Sequence, residues 1–248
     1  MPIYEPDHVE YTINSSHIQI VLDNAVQMPA YLAHPTFGLK FPGVVLIHDW
    51  WGITPMIRRL ANLYAQMGYY VIVPDLFDGR TTASPKEAMR MVEGLGKDSG
   101  FTKINEALEV LEHHHHTNRY VAAVGVGMGG SLAFEAAITR TDLEAAVAYG
   151  GFPNRYFGRF ANAPTPICAY FGANEPHIKR EDINRLREEL SGSDLSHVVN
   201  IVPDIEHEFF SDTLTPTQRE RSRQVMKDTL DFLDGLLIKP KKPTNKPM

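Results

Sequence analysis

Hydrophobic residues form short, nearly continuous runs from residue 42 onward, separated by segments with helical spacing. Such runs are typical of strands buried on both faces of a parallel sheet. They predict six core strands, at residues 43–47, 70–73, 120–124, 145–149, 167–171 and 198–202. Because strands and helices alternate, we expect an α/β fold: a doubly wound, mostly parallel sheet with helices on both faces.

The region before residue 42 follows a different pattern. Residues 17–23 and 27–33 alternate between apolar and polar positions. Alternation with a period of two predicts half-buried strands, and two such strands close together predict an antiparallel hairpin. We place this N-terminal hairpin at the edge of the sheet.

Several helix boundaries can also be read from the sequence. Thr54 and the proline after it predict a helix start, and Gly68 predicts the end of that helix. The segments SPKE from Ser84 and TPTQ from Thr215 match the capping box, with proline at the first helical position. A further helix is predicted around residues 103–111.

Length and composition limit the possible classes of protein. The chain has 248 residues, and we expect residues 1–238 to form a single domain and the lysine- and proline-rich residues 239–248 a flexible tail. A net charge of −6 argues against general nucleic-acid binding. No apolar run approaches the ~20 residues of a membrane span, and the N-terminal segment does not resemble a secretion signal. A single cysteine, Cys168, rules out an internal disulfide and fits a reducing compartment, so we expect a cytoplasmic protein. We also expect a monomer or homodimer.

The segment VAAVGVGMGG, residues 121–130, allows two interpretations. It matches the phosphate-binding pattern G-x-G-x-x-G, and it matches a nucleophile elbow, G-x-S-x-G, whose central residue is Gly127. A dinucleotide site normally uses the first strand–helix turn, with an acidic residue ~20 positions later. Here other strands come first, and the next strand ends AVAYGG without a carboxylate. This position favours the elbow, while the phosphate loop stays an alternative.

Two further loops carry residues that suit an elbow. Glu175 lies in FGANEPHI, just after a predicted strand, and His207 lies in IVPDIEHEFF, after the last one. In α/β-hydrolases the nucleophile, acid and histidine follow in this order, each after a successive strand. The sequence therefore predicts a site at the carboxyl edge of the sheet.

Four segments together resemble the dienelactone hydrolase family: VVLIHDWWGITPMIRRLANLYAQMGYYVIVPDLFDGR, VAAVGVGMGGSLAFEAA, ICAYFGANEPHI and IEHEF. The resemblance implies an α/β-hydrolase fold and the activity of a carboxylic-ester hydrolase, without a cofactor. It implies that Gly127 stands at the position of the serine or cysteine nucleophile. Glu175 then corresponds to the acid of the triad, and His207 to its histidine.

The resemblance also assigns positions around the elbow. Asp49 stands where family members often carry a glutamate beside the nucleophile, and the backbone N–H groups of Trp50 and Met128 match the oxyanion hole. The nucleophile position itself is vacant, because Gly127 has no side chain with which to form an acyl-enzyme. Arginines that would bind a substrate carboxylate have no match here, so we do not expect a dienelactone substrate.

Other residue types suggest a pocket. Aromatic residues on the predicted carboxyl-edge loops favour an apolar or aromatic ligand; they are Trp50, Trp51, Phe152, Tyr156, Phe209 and Phe210. His48 ends a strand, where ligands often bind. Ser131 is expected one turn into a helix, facing away from the substrate. The four histidines at 113–116 are consecutive and cannot converge on one ion, so no metal site is predicted.

Three hypotheses for function follow. In the first, the protein binds a small apolar carbonyl or lactone compound, or catalyses non-covalent acid–base chemistry with His207 and Glu175. In the second, it is an active ester or lactone hydrolase that uses water or an unusual nucleophile. In the third, it is a structural or interaction pseudoenzyme.

Overall fold

The computed structural model describes residues 11–21, 27–38, 40–96, 98 and 100–238. The predicted tail at 239–248 lies outside these residues, as does the turn of the N-terminal hairpin. The strands are β1 (Ile13–Val21), β2 (Gln27–Pro35), β3 (Phe41–Ile47), β4 (Tyr70–Pro74), β5 (Thr117–Val126), β6 (Ala145–Tyr149), β7 (Ile167–Gly172) and β8 (Val198–Val202). The helices are α1 (Pro55–Gln66), α2 (Pro85–Glu93), α3 (Phe101–His113), α4 (Met128–Thr139), α5 (Arg180–Ser191) and α6 (Pro216–Leu237).

The described strands form one sheet in the order β1-β2-β4-β3-β5-β6-β7-β8. Strands β3 to β8 pair in parallel, and the hairpin β1–β2 joins the edge of β4 antiparallel. The predicted doubly wound sheet and its edge hairpin are therefore confirmed. No helix among the described residues is long and apolar enough to cross a membrane.

Side chains that alternate along the strands build one hydrophobic core on each face of the sheet. In β3, Val45 and Ile47 pack in the core that α3, α4 and α5 cover. Val44 and Leu46 pack in the opposite core, beneath α1 and α6. The strands of the sheet centre are apolar throughout because both of their faces are buried. The strand β8 is only partly buried because it lies at the edge, which its apolar sequence did not reveal.

The predicted helix starts have different outcomes. Thr54 caps α1, and Thr215 forms a complete capping box with Gln218 at the start of α6. The capping box predicted at Ser84 is wrong, since its side chain caps no backbone N–H. The hydroxyl of Thr82 donates to the Glu87 carboxylate at 2.7 Å and accepts from the Ser84 N–H. In a capping box the Glu87 carboxylate would itself accept from the Ser84 N–H, so Thr82 stands between the two groups.

Candidate active site

The turn between β5 and α4 has the geometry of an elbow. The single residue between strand and helix is Gly127, with φ 54° and ψ −115°, a conformation that side chains disfavour. Gly125 permits the tight turn, because a Cβ there would lie 2.0 Å from the carbonyl oxygen of Gly129. The backbone therefore presents residue 127 at the carboxyl edge of the sheet, between the start of α4 and the end of β3.

The space at residue 127 is filled by Asp49, so the expectation of a vacant position needs correction. A Cβ on Gly127 would lie 2.4 Å from Oδ1 of Asp49, 2.5 Å from its Cγ and 2.6 Å from its Oδ2. Real Cβ atoms essentially never come this close to another heavy atom. The carboxylate, supplied by the loop after β3, thus stands where a nucleophilic side chain on the elbow would stand.

The two amides predicted as oxyanion donors lie together, and both are engaged. The N–H groups of Trp50 and Met128 each donate to Oδ1 of Asp49 at 2.8 Å. Oδ2 accepts no hydrogen bond from the described part of the chain. An anion therefore already sits at the amino end of α4, a position that the helix dipole favours. This placement also disfavours the phosphate-loop interpretation, since a carboxylate occupies the anion's place.

Burial governs the protonation of Asp49. Removal from water raises the pKa of this carboxyl group, and the charge of Glu208 adds to that effect. The amides of Met128 and Trp50, together with the charge of His207, oppose the rise. The net direction is upward, so Asp49 is a stronger base than an exposed aspartate.

On the opposite side of the cleft, Glu175 and His207 form the predicted pair. Nδ1 of His207 donates to Oε2 of Glu175 at 2.8 Å. The second oxygen, Oε1, accepts from the His177 N–H at 2.8 Å. The Glu175 side chain is 3% exposed and that of His207 is 17% exposed. The carboxylate is thus fixed from both sides, and it orients the imidazole.

The pair shifts the pKa of each member. Burial alone lowers the pKa of His207, but the hydrogen bond and charge of Glu175, with the charges of Asp49 and Glu208, outweigh burial and raise it. Burial alone raises the pKa of Glu175, and the hydrogen bonds from His207 and the His177 amide reverse this and lower it. Because Nδ1 donates to Glu175, the lone pair of the neutral ring is on Nε2, which has no hydrogen-bond partner among the described residues.

His48 is a structural residue, and its predicted pocket location is wrong. It is fully buried. Its Nδ1 donates to the Asp49 carbonyl at 2.7 Å, and its Nε2 accepts from the Leu76 N–H at 3.1 Å. Burial lowers the pKa of this ring, which fits a neutral imidazole that donates from one nitrogen and accepts with the other. His48 therefore anchors the backbone that carries Asp49.

Between Asp49 and His207 lies an open cleft of about 1000 Å³. Three of the predicted aromatic residues, Trp50, Trp51 and Phe152, line it. Phe209 does not: it is 1% exposed and packs against Tyr149 and Tyr170 in the core. The described lining is completed by residues from α2, α4, the acid loop and the segment after β8, namely Val92, Met128, Ser131, Pro176, His177, Glu206, Glu208, Ser211, Thr213, Leu214 and Gln218.

Two further aromatic residues and one serine do not lie where the sequence predicts them. Tyr156 is buried in the core, and Phe210 is not among the lining residues. Ser131 lines the cleft rather than facing away from it. Its hydroxyl accepts from the Phe152 N–H at 2.9 Å and lies 3.4 Å from the Gly127 carbonyl, so it ties together two loops of the site.

The cleft is acidic. Its described lining includes Asp49, Glu206 and Glu208 but neither lysine nor arginine. Such a lining repels anionic ligands and accepts neutral or cationic ones. The carboxylates at 206 and 208 flank His207 in sequence, which is the signal that could have identified them. Val92 has no such signal, because only the folded chain brings α2 to the cleft.

The remaining candidates lie away from the cleft. The histidines at 114, 115 and 116 stack on one another after the end of α3, and the ring of His114 contacts Tyr70. No group of three or more His, Cys, Asp or Glu in the described ranges is arranged to hold a metal ion. Cys168 is buried in β7, where burial raises the pKa of its thiol to about 12.

A family model described as "Dienelactone hydrolase family" matches residues 28–237. The chain belongs to the dienelactone hydrolase family. One relative in this family is Carboxymethylenebutenolidase 1 of Cupriavidus pinatubonensis, 25% identical over 187 residues, which cover 72% of this chain and 79% of the relative. Protein usf of Aquifex pyrophilus is 23% identical over 197 residues, covering 76% and 84% of the two chains.

Solved structures show the same fold. A dienelactone hydrolase from Anabaena variabilis superposes with a TM-score of 0.67 at 18% identity, over 91% of this chain and 99% of that chain. A dienelactone hydrolase-like promiscuous phosphotriesterase from metagenomic libraries gives a TM-score of 0.76 at 18% identity, over 89% and 98%. The fold is therefore the α/β-hydrolase fold of the dienelactone hydrolases, as the resemblance implied.

Proposed function

We propose that this member of the dienelactone hydrolase family is a hydrolase for small uncharged substrates, in which His207 activates water as a general base. The observation that carries the proposal is the 2.8 Å hydrogen bond from His207 Nδ1 to Glu175. It holds the ring in the tautomer whose Nε2 accepts a proton. General-base catalysis of this kind contributes roughly 100- to 10,000-fold to a rate.

The proton that water loses in the general-base step is taken up by the pair of His207 and Glu175. Water transfers a proton to Nε2 of His207 as its oxygen attacks, and the resulting imidazolium is stabilised by the adjacent Glu175 carboxylate. Gly127 contributes no bond to the substrate, since it has no side chain. The raised pKa of His207 is consistent with a site built to stabilise the protonated ring.

The cleft supports a small ligand that is partly apolar and carries no negative charge. Trp50, Trp51 and Phe152 provide an aromatic lining, while Glu206 and Glu208 disfavour anions. Dienelactones carry a carboxylate, so we do not propose one as the substrate. The carbonyl or lactone ligand expected from the sequence is also small and uncharged, which suits this lining.

The second candidate is ester or lactone hydrolysis in which the amides of Trp50 and Met128 form an oxyanion hole for the substrate carbonyl. It is favoured because the two amides converge on one point. They lie as oxyanion donors lie. A substrate carbonyl oxygen reaches them only after the Asp49 carboxylate has left. This candidate therefore requires Asp49 to change conformation, whereas the water-activating role of His207 does not.

The proposal is tested with three neutral probes: p-nitrophenyl acetate, δ-valerolactone and n-butyl bromide. For any probe that the protein hydrolyses, we expect His207→Ala to lower kcat/KM by about 100-fold or more. Glu175→Gln should give a smaller loss in the same direction. His113→Ala, which removes an exposed histidine at the end of α3, is the control and should retain the full rate. Unchanged rates in His207→Ala would contradict the proposal.

A further inference from the structure

The geometry points to Asp49 as a covalent nucleophile: its Oδ2 attacks an alkyl carbon of a small uncharged substrate and displaces an anionic leaving group. This inference rests on the proposed function, because it uses the water that His207 activates. It adds the atom that forms the covalent bond and the class of bond that is cleaved.

The first support is the position of the carboxylate. It overlaps the site of a side chain on Gly127, the elbow position at which this fold presents its nucleophile. Oδ1 is held by two backbone amides, and Oδ2 is without a hydrogen bond from the described residues. One oxygen is therefore anchored while the other has no such partner, on a side chain that lines the cleft. Carboxylates are established nucleophiles in enzymes that form covalent intermediates.

The first step needs no proton. Oδ2 donates an electron pair to the alkyl carbon, a C–O bond forms, and the bond from that carbon to the leaving group breaks. The leaving group departs with its electron pair as an anion such as a halide. Asp49 becomes an alkyl ester, and the negative charge moves from the carboxylate to the departing anion.

The second step hydrolyses this ester. His207 takes a proton from water, whose oxygen attacks Cγ of Asp49 and forms a tetrahedral intermediate. Its negative charge develops on Oδ1, which lies 2.8 Å from the N–H groups of both Trp50 and Met128. The amides are thus already placed for this oxyanion. Collapse breaks the bond to the alkyl oxygen, the alkoxide takes the proton from His207, and Asp49 returns to its carboxylate after losing a proton to solvent.

The lining suits such a substrate. The indole N–H groups of Trp50 and Trp51 donate to no acceptor among the described residues, and both side chains line the cleft, so they are available to a departing anion. The acidic lining favours an uncharged alkyl compound over an anionic one. A carbonyl substrate, by contrast, would have to compete with Oδ1 for the same two amides.

The test is a single turnover of n-butyl bromide in heavy-oxygen water, with the protein in excess. We expect butanol that carries ordinary oxygen and an Asp49 peptide that carries heavy oxygen, because the first product oxygen comes from the carboxylate. In His207→Ala a butyl ester should accumulate on Asp49 and be detected by peptide mass spectrometry. Asp49→Asn should abolish bromide release, while Asp212→Asn, an exposed change outside the cleft, should leave it unchanged.

Other results would overturn the inference in distinguishable ways. Heavy oxygen in the first butanol formed means that water attacks the substrate directly, so Asp49 is not the nucleophile and His207 keeps its role. If no bromide is released while hydrolysis of p-nitrophenyl acetate depends on His207, Asp49 is not a nucleophile toward alkyl carbon and the proposed function stands. Equal bromide release by Asp49→Asn contradicts the inference as well. Hydrolysis of any probe that is independent of both residues overturns both proposals.

Discussion

The two sides of the cleft differ in how closely they follow the family pattern. On the side of β7 and β8, Glu175 and His207 form the hydrogen-bonded pair that the pattern implies. On the side of β3 and β5, the backbone keeps the elbow, but the place of a side chain on Gly127 is filled by the carboxylate of Asp49, from the loop after β3. The comparison shows that the backbone of an elbow is determined separately from its chemistry. In this chain the turn forms although the residue at its tip, Gly127, has no side chain.

The largest expected effect tests whether the elbow backbone is fixed by close contact. A Cβ at Gly125 would lie 2.0 Å from the Gly129 carbonyl oxygen, so Gly125→Ala should lower the free energy of unfolding by about 3 kcal/mol or more. Gly192→Ala is the matched control, since a Cβ there meets no atom within 4 Å. Urea denaturation measures both. A loss at 125 no larger than that at 192 would mean that the turn adapts freely.

The next prediction concerns the space shared by residues 49 and 127. Gly127→Ser should lower the free energy of unfolding by about 1–3 kcal/mol, because its side chain overlaps the Asp49 carboxylate at a positive φ. In the Asp49→Ala background, Gly127→Ser should lower the free energy of unfolding by less, because the carboxylate that it overlaps is absent. The double variant should also be labelled by a fluorophosphonate faster than Gly127→Ser alone. Additive stability losses and equal labelling would show that the two side chains do not compete for this space.

The pH dependence of hydrolysis tests the other side of the cleft. His207 acts in its neutral form, and its pKa is raised above the ordinary value of 6.5. The rate should therefore rise with pH and reach its half-maximum above 6.5. Glu175→Gln removes the charge that stabilises the protonated ring and should move this half-maximum to lower pH. A profile whose midpoint does not move in Glu175→Gln would contradict the coupling of the two residues.

The smallest expected effect distinguishes an aromatic residue that lines the cleft, Phe152, from one that is buried in the core, Phe209. Phe209→Leu should cost about 1 kcal/mol of unfolding free energy, because this ring is buried, and should leave KM unchanged. Phe152→Leu should have the opposite outcome: little loss of stability, because the ring is 38% exposed, and a changed KM for an apolar probe. Identical effects of the two substitutions on KM would mean that Phe209 contributes to the site.

The sequence predicted those features that depend on local pattern. Buried strands, the edge hairpin, the capping box at Thr215 and the order of elbow, acid and histidine follow from spacing and turn chemistry. The placement of Asp49 could not be derived, since it depends on how the loop after β3 meets the elbow 78 residues later. The burial of Phe209 was missed for a similar reason: an aromatic residue on a carboxyl-edge loop suits core and pocket equally until its neighbours are known.

The occupation of the oxyanion amides by Asp49 is tested most directly by NMR of the backbone N–H groups of Trp50 and Met128. An amide that donates to a carboxylate gives a strongly deshielded proton. We expect both proton resonances to be deshielded in the wild-type protein, to move together as Asp49 is titrated with acid, and to shift upfield in Asp49→Ala. Resonances of Trp50 and Met128 that are unaffected by this substitution would show that the carboxylate does not occupy the place of the nucleophile.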